Sequence, residues 1–186
     1  MSQEAHQNSS PALDRGLVSI YTGQGKGKTT AAIGSVVRAV GHGLRAYVIF
    51  FVKGKDYIHG ELQALAQLPN VTTTSFGQRG WVLKNNIKPE HKEQAKQALD
   101  TARQAMLSGK YDLVVLDEIN IAIAGKLVEV DDVIGLINDK PQNVELILTG
   151  RYADPRLVRI ADLVSEILMI KHPYTEGVRA RKGIEY

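Results

Sequence analysis

The sequence predicts a three-layer α/β fold, a mostly parallel central sheet with helices on both faces. Three observations predict it. Short β-rich runs alternate with segments of helical period along the chain. Two of the runs, "RAYVIFFV" (45–52) and "YDLVVLDE" (111–118), are nearly continuous in apolar residues, as in strands buried on both faces. A glycine-rich turn, "TGQGKGKTT" (22–30), joins the first strand to the first helix.

The elements follow in order. "GLVSIY" (16–21) is a strand entering the glycine turn. From Lys28 to Val40 the pattern is helical, with Ala31, Ala32, Val36 and Ala39 near 3.6 spacing, and Gly41 and Gly43 stop it. Residues 45–52 form the next strand, Gly60 to Leu68 a short helix and "VTTTSF" (71–76) a strand. "GQRGWVLKNNIK" (77–88) breaks the rhythm as an exposed loop. Pro89 to Ser108 is a helix with Ala95, Ala98, Leu99, Ala102, Ala105 and Met106 on one face. The strand 111–118 ends in two acids, and Val130 to Ile137 is helical. "VELILTG" (144–150) and "LVSEILMI" (163–170) are strands joined by a helix that Asp154 and Pro155 start. The polar "KHPYTEGVRARKGIEY" reads as loop and tail.

A chain of 186 residues suits one domain with a sizeable core. Residues 16–186 are expected to form it, with 1–15 a polar, flexible N-terminal tail lacking the apolar core of a secretory signal. Hydrophobic residues at 44% and charged residues at 23% are ordinary for a globular protein. A net charge of +3 suits an anionic small ligand as well as a nucleic acid, and no aromatic-and-basic stripe for single strands is present. The absence of cysteine excludes disulfides, thiolate metal sites and a cysteine nucleophile. No apolar run approaches the roughly 20 residues of a membrane span. The expectation is a cytoplasmic protein without a nucleic-acid or membrane partner.

Ligands on such a sheet bind beyond the carboxyl ends of the strands. The turn at 22–30 lies at one such end and carries the elements of a phosphate-binding loop. Gly23, Gly25 and Gly27 let the backbone curl, and the helix opening at Lys28 aims its positive end at an anion. Lys28 supplies a charge to the phosphates, Thr29 a hydroxyl for Mg²⁺, and Lys26 a second charge. Thr22, Gln24 and Thr30 complete the nucleotide-binding stretch. Yet the pattern G-x-x-x-x-G-K-[ST] does not quite fit, because Thr22 stands where its first glycine belongs.

Asp117 and Glu118 close the strand at 111–118, where an acid of a phosphate-loop protein holds Mg²⁺. Strand neighbours face opposite ways, so one of them is expected on the metal, Glu118 ahead of Asp117. These features point to a nucleoside triphosphate with Mg²⁺. They leave the reaction open.

Several segments together resemble the phosphate-loop ATP:corrinoid adenosyltransferases of the CobA/BtuR type. They are "YTGQGKGKTTAAIGSVVRAVGHG" (21–43), "FVKG" (51–54), "GE" (60–61), "VVLDEI" (114–119), "LTGR" (148–151), "ADLVSE" (161–166), "KHPY" (171–174) and "GV…GIEY" (177–186). The resemblance covers nearly everything after residue 15 and implies a P-loop, RecA-like fold. It implies that a cob(I) corrinoid attacks the 5′-carbon of ATP, giving adenosylcobalamin or an adenosylated precursor and releasing triphosphate. It also accounts for the offset loop, since the family holds ATP in the reverse sense. Cob(I) is itself the nucleophile, so positioning and neutralising the departing triphosphate carry the catalysis, with Lys28, Thr29 and Glu118 as the catalytic set. The resemblance assigns Arg38 to the nucleotide, and implies a homodimer and a reduced flavin or flavoprotein as electron donor.

The family pattern has two aromatics, in G-F-T-W, that pack beneath the corrin. Here the segment is "GWVL". Trp81 falls on the Phe position and Leu83 on the Trp position; a one-residue shift instead puts Trp81 on the Trp position and Arg79 on the Phe. Trp81 and Leu83 are the candidate corrinoid contacts. Arg151 follows a strand and is open to three roles, a phosphate contact, a partner-subunit contact or a surface salt bridge, and His172 belongs to a structural motif. Two other readings stay open: a RecA-like regulatory NTPase, and a corrinoid- and ATP-binding sensor without turnover.

Overall fold

The computed structural model describes residues 13–53, 60–77 and 87–185. Its strands are β1 (Val18–Thr22), β2 (Ala46–Phe50), β3 (Val71–Ser75), β4 (Leu113–Asp117), β5 (Glu145–Thr149) and β6 (Leu163–Glu166). They form a sheet in the order β3-β2-β4-β5-β1-β6, every pairing parallel. The helices are α1 (Lys28–Gly41), α2 (Gly60–Leu65), α3 (Pro89–Leu107), α4 (Ile119–Ala124), α5 (Val130–Asn138) and α6 (Pro155–Ile160).

Strand alternation builds the three layers. In β4, Val114 and Leu116 face one core and Leu113 and Val115 the other; in β5, Leu146 and Leu148 oppose Ile147 in the same way. The first core is closed by α3, α4, α5 and α6, the second by α1 and α2. Helix α1 offers Ala32 and Val36, one turn apart on a single face, to the smaller core. Helix α3 opens with Pro89 and buries the predicted face, Ala95, Ala98, Leu99, Ala102, Ala105 and Met106. Its alanines let the helix lie close to the sheet. Truncating a fully buried side chain such as Leu116 to alanine would cost about 2–5 kcal/mol.

Two elements differ from the expectation. Helix α4 was not predicted, because the six residues of "INIAIA" are too few to show a helical period. Strand β6 stops at Glu166 rather than Ile170. Its neighbour β1 ends at Thr22, the register partner of Glu166, and the phosphate loop begins there. Beyond that point the segment has no strand to pair with. In the C-terminal stretch, residues Pro173–Glu176 form a short 3₁₀ turn. Among the described residues no helix is long and apolar enough to cross a membrane.

Candidate active site

The parallel order brings three strand ends side by side: β1, β5 and β4. The loop leaving β1 curls tightly. Gly27, the residue before α1, has φ 122°, a conformation that a side chain would strain. Gly25 lies against the chain that continues β6. Its N–H donates to Ile167 O at 2.7 Å, and a Cβ there would stand 2.6 Å from Leu168 O. One amide of the loop is therefore committed to the neighbouring chain rather than turned inward.

Lys28 is buried, and its Nζ donates to Gly25 O at 2.6 Å across its own loop. Burial lowers its pKa, as does Arg151, while Glu118 and Asp117 oppose the shift. Lys26 points elsewhere, its Nζ donating to Ile184 O and to Glu185 Oε1, both at 2.9 Å. Thr22 accepts a hydrogen bond from the N–H of Ala153 at 3.3 Å. Beside the loop opens a cavity of about 350 Å³, walled by Thr22, Gly23 and Gln24 and, opposite, by Tyr152, Val164 and Glu166. Arg38 is exposed in the last turn of α1, about 15 Å along the helix axis from Lys28 within the same chain.

The two acids have different surroundings. Asp117 is fully buried at the end of β4. Its Oδ1 accepts from Thr149 Oγ1 at 2.7 Å, and Lys53 Nζ stands 3.0 Å from its Oδ2, an ion pair by distance but not aligned as a hydrogen bond. Glu118 lies just past the strand, in a left-handed turn (φ 65°) that opens α4. That turn breaks the alternation expected of strand neighbours, and the two carboxylates feel each other. Burial, with the Asp117 charge second, pushes the Glu118 carboxyl up to about 7, against the pull of Lys53, Lys28 and Arg151. Glu118 Oε2 is buried with no hydrogen-bond partner among the described residues.

Lys53, Thr149 and Asn120 support this centre and were not singled out from the sequence. Lys53 follows β2 and pairs with Asp117 and, at 2.8 Å, with Glu61 of α2. Burial pulls its pKa down, but those two carboxylates outweigh that and hold it above the ordinary lysine value. Asn120, fully buried, donates from Nδ2 to Gly150 O at 3.3 Å and so fastens the turn before Arg151. The only advance signals were polar residues at the ends of apolar runs, in "FVKG", "LDEIN" and "LTGR". Trp81 and Leu83 lie outside the described residues, as does Arg79. His172 caps the 3₁₀ turn, its Nδ1 accepting from the N–H of Tyr174 at 3.2 Å.

A glycine-rich loop, a buried lysine and a pair of neighbouring acids thus share one end of a parallel sheet. A family model described as "ATP:corrinoid adenosyltransferase BtuR/CobO/CobP" matches residues 14–186. The chain belongs to the ATP:corrinoid adenosyltransferase family. It is a transferase of that type, with the P-loop, RecA-like three-layer fold. It is 33% identical over 173 residues to a corrinoid adenosyltransferase of Pseudomonas aeruginosa, covering 93% of this chain and 85% of that protein. It is 32% identical to the corrinoid adenosyltransferase CobA of Salmonella typhimurium, covering 93% of this chain and 87% of that protein. Among solved structures it resembles the flagellar accessory protein FlaH of Methanocaldococcus jannaschii, with a TM-score of 0.56 and 12% identity over 83% of this chain and 72% of that one. At that identity the likeness speaks for the fold alone.

Proposed function

We propose that this adenosyltransferase binds Mg²⁺·ATP on the 22–30 loop with the 5′-carbon exposed to the corrinoid, and that the whole triphosphate departs. The observation that carries the reading is the pairing of the loop with Glu118, whose Oε2 is buried and unpartnered among the described residues. An unsatisfied buried carboxylate oxygen is costly, and a divalent cation satisfies it. Thr29 and Glu118 would hold that Mg²⁺ together with phosphate oxygens, the usual donor set for this ion. Asp117, with its oxygens facing Thr149 and Lys53, serves as a buried anchor. When bound, Mg²⁺ would neutralise charge on the leaving triphosphate.

Lys28 then turns from Gly25 O to the phosphates, and Arg151 adds a further positive charge from the end of β5. No general base is required, because the cob(I) nucleophile needs no deprotonation. Catalysis on this reading is positioning and charge neutralisation. Trp81 and Leu83 would contact the corrin, and a reduced flavin or flavoprotein would supply the electron. The exposed apolar side chains Leu168, Met169 and Ile170 beyond β6 support assembly as a homodimer, in which Arg38 would serve the nucleotide. A regulatory NTPase finds no support in the family match.

Incubation with ATP, Mg²⁺ and chemically generated cob(I)alamin tests the reading. Adenosylcobalamin forms if it is right. Steady ATP hydrolysis without corrinoid, or tight binding of both ligands without reaction, would contradict it.

A further inference from the structure

Two adjacent carboxylates beside a phosphate loop are the donors from which two-metal sites are built. This centre has a fixed positive charge at one of them. Lys53 Nζ stands 3.0 Å from Asp117 Oδ2 and 2.8 Å from Glu61 Oε1, and it lies over the Phe50 ring at 4.8 Å from the centroid. The side chain is only 14% exposed. Three contacts on three elements hold it there: Phe50 at the end of β2, Glu61 in the first turn of α2, and Asp117 at the end of β4. Phe50 and Asp117 are register partners, which brings the chain just past β2 to the acid.

We propose that Lys53 is a positioning residue whose ammonium occupies the place of a second divalent cation at Asp117, so that the centre loads a single metal ion, on Glu118 and Thr29. The proposal rests on the Mg²⁺ site proposed above. The ammonium and a metal ion at the same carboxylate oxygen would repel at close range, and Glu61 together with the Phe50 ring keeps the lysine from swinging aside. The result is an asymmetric pair of acids, one permanently neutralised and one left for the exchangeable cation.

Mn²⁺ in the presence of inorganic triphosphate, counted by calorimetry and read by frozen-solution electron paramagnetic resonance, tests this on the full chain. The wild type is expected to take one Mn²⁺ per bound triphosphate, with no coupled pair at saturation. Lys53→Met, which removes the charge and keeps the length, is expected to admit a second Mn²⁺ and show a spin-coupled spectrum. Lys53→Arg is expected to stay at one. A wild type that binds two ions overturns the inference even if Lys53→Met does not fold. So does a folded Lys53→Met that binds one ion with unchanged affinity. Glu118→Gln separates the levels: if it binds Mn²⁺·triphosphate like the wild type, the metal site itself is wrong. If it loses the ion while Lys53→Met keeps only one, the role of Lys53 alone falls.

Discussion

Thr149 Oγ1 donates to Asp117 Oδ1 at 2.7 Å and accepts from the N–H of Glu118 at 2.9 Å, so one hydroxyl at the end of β5 fixes both acids at the end of β4. Register explains the contact. Leu116 pairs with Leu148, and the next residues along are Asp117 and Thr149.

Thr149→Val keeps the shape and removes the hydroxyl. A buried carboxylate oxygen and a part-buried amide then lose their partner, which should lower stability by about 1–3 kcal/mol. Urea unfolding of wild type and variant measures the difference. A change below about 0.5 kcal/mol would mean that the hydroxyl does not hold the acids.

Glu118→Gln and Asp117→Asn should fail in different ways. Glu118→Gln is expected to fold normally and to lose Mg²⁺-dependent turnover at least a hundred-fold, an effect of the order seen when one electrostatic contact to the transition state is removed. Asp117→Asn breaks a buried ion pair with Lys53 and is expected to cost about 3–5 kcal/mol. Thermal melts beside Mg²⁺ titrations of activity tell the two apart.

The ligand-free protein should lose stability as pH rises from about 4.5 to about 7. Glu118 is the cause. Its carboxyl titrates at about 7 when folded and at 4.5 when unfolded, so the folded state holds more protons across that window. The contribution is present below 4.5, lost by about 7, and worth about 3 kcal/mol. Urea midpoints at pH 5 and pH 8 show it, and Glu118→Gln should flatten the difference. Mg²⁺·triphosphate binding below pH 7 should also release a proton, visible as a buffer-dependent heat.

Lys26 is held by Glu185 and the carbonyl of Ile184. If Lys26 serves the triphosphate, that contact competes with it. Glu185→Gln is expected to tighten triphosphate binding, within about five-fold because the pair is solvent-exposed. Lys26→Ala should weaken binding. If Glu185→Gln leaves affinity unchanged, Lys26 stays with the C-terminal turn throughout.

The strands and α1 were legible because their signals are local: apolar runs, a glycine turn and a 3.6 period within a dozen residues. The phosphate loop was legible for the same reason. What the sequence hid depends on chain segments meeting across the sheet. Lys53 reaches Asp117 only because β2 and β4 are neighbours, and Lys26 meets Glu185 only after the whole sheet is assembled. The strand-neighbour rule predicted two acids facing opposite ways; instead Glu118 sits beyond the strand in a left-handed turn, while Asp117 is engaged by Thr149 and Lys53. Strand β6 read too long because its apolar run continues past the point where β1 stops offering a partner.

Trp81→Ala should slow adenosylation from cob(II)alamin plus reductant at least ten-fold, and chemically supplied cob(I)alamin should partly restore the rate, since the reduction step is then bypassed. Parallel progress curves from the two starting states check this. Equal rates for wild type and variant from both would remove Trp81 from the corrin.

The claim that the loop presents the 5′-carbon of ATP, not its terminal phosphate, is tested most directly by ³¹P nuclear magnetic resonance of the products of a cob(I)alamin reaction. The account predicts inorganic triphosphate in one-to-one proportion with adenosylcobalamin. ADP and orthophosphate as the primary products would contradict it.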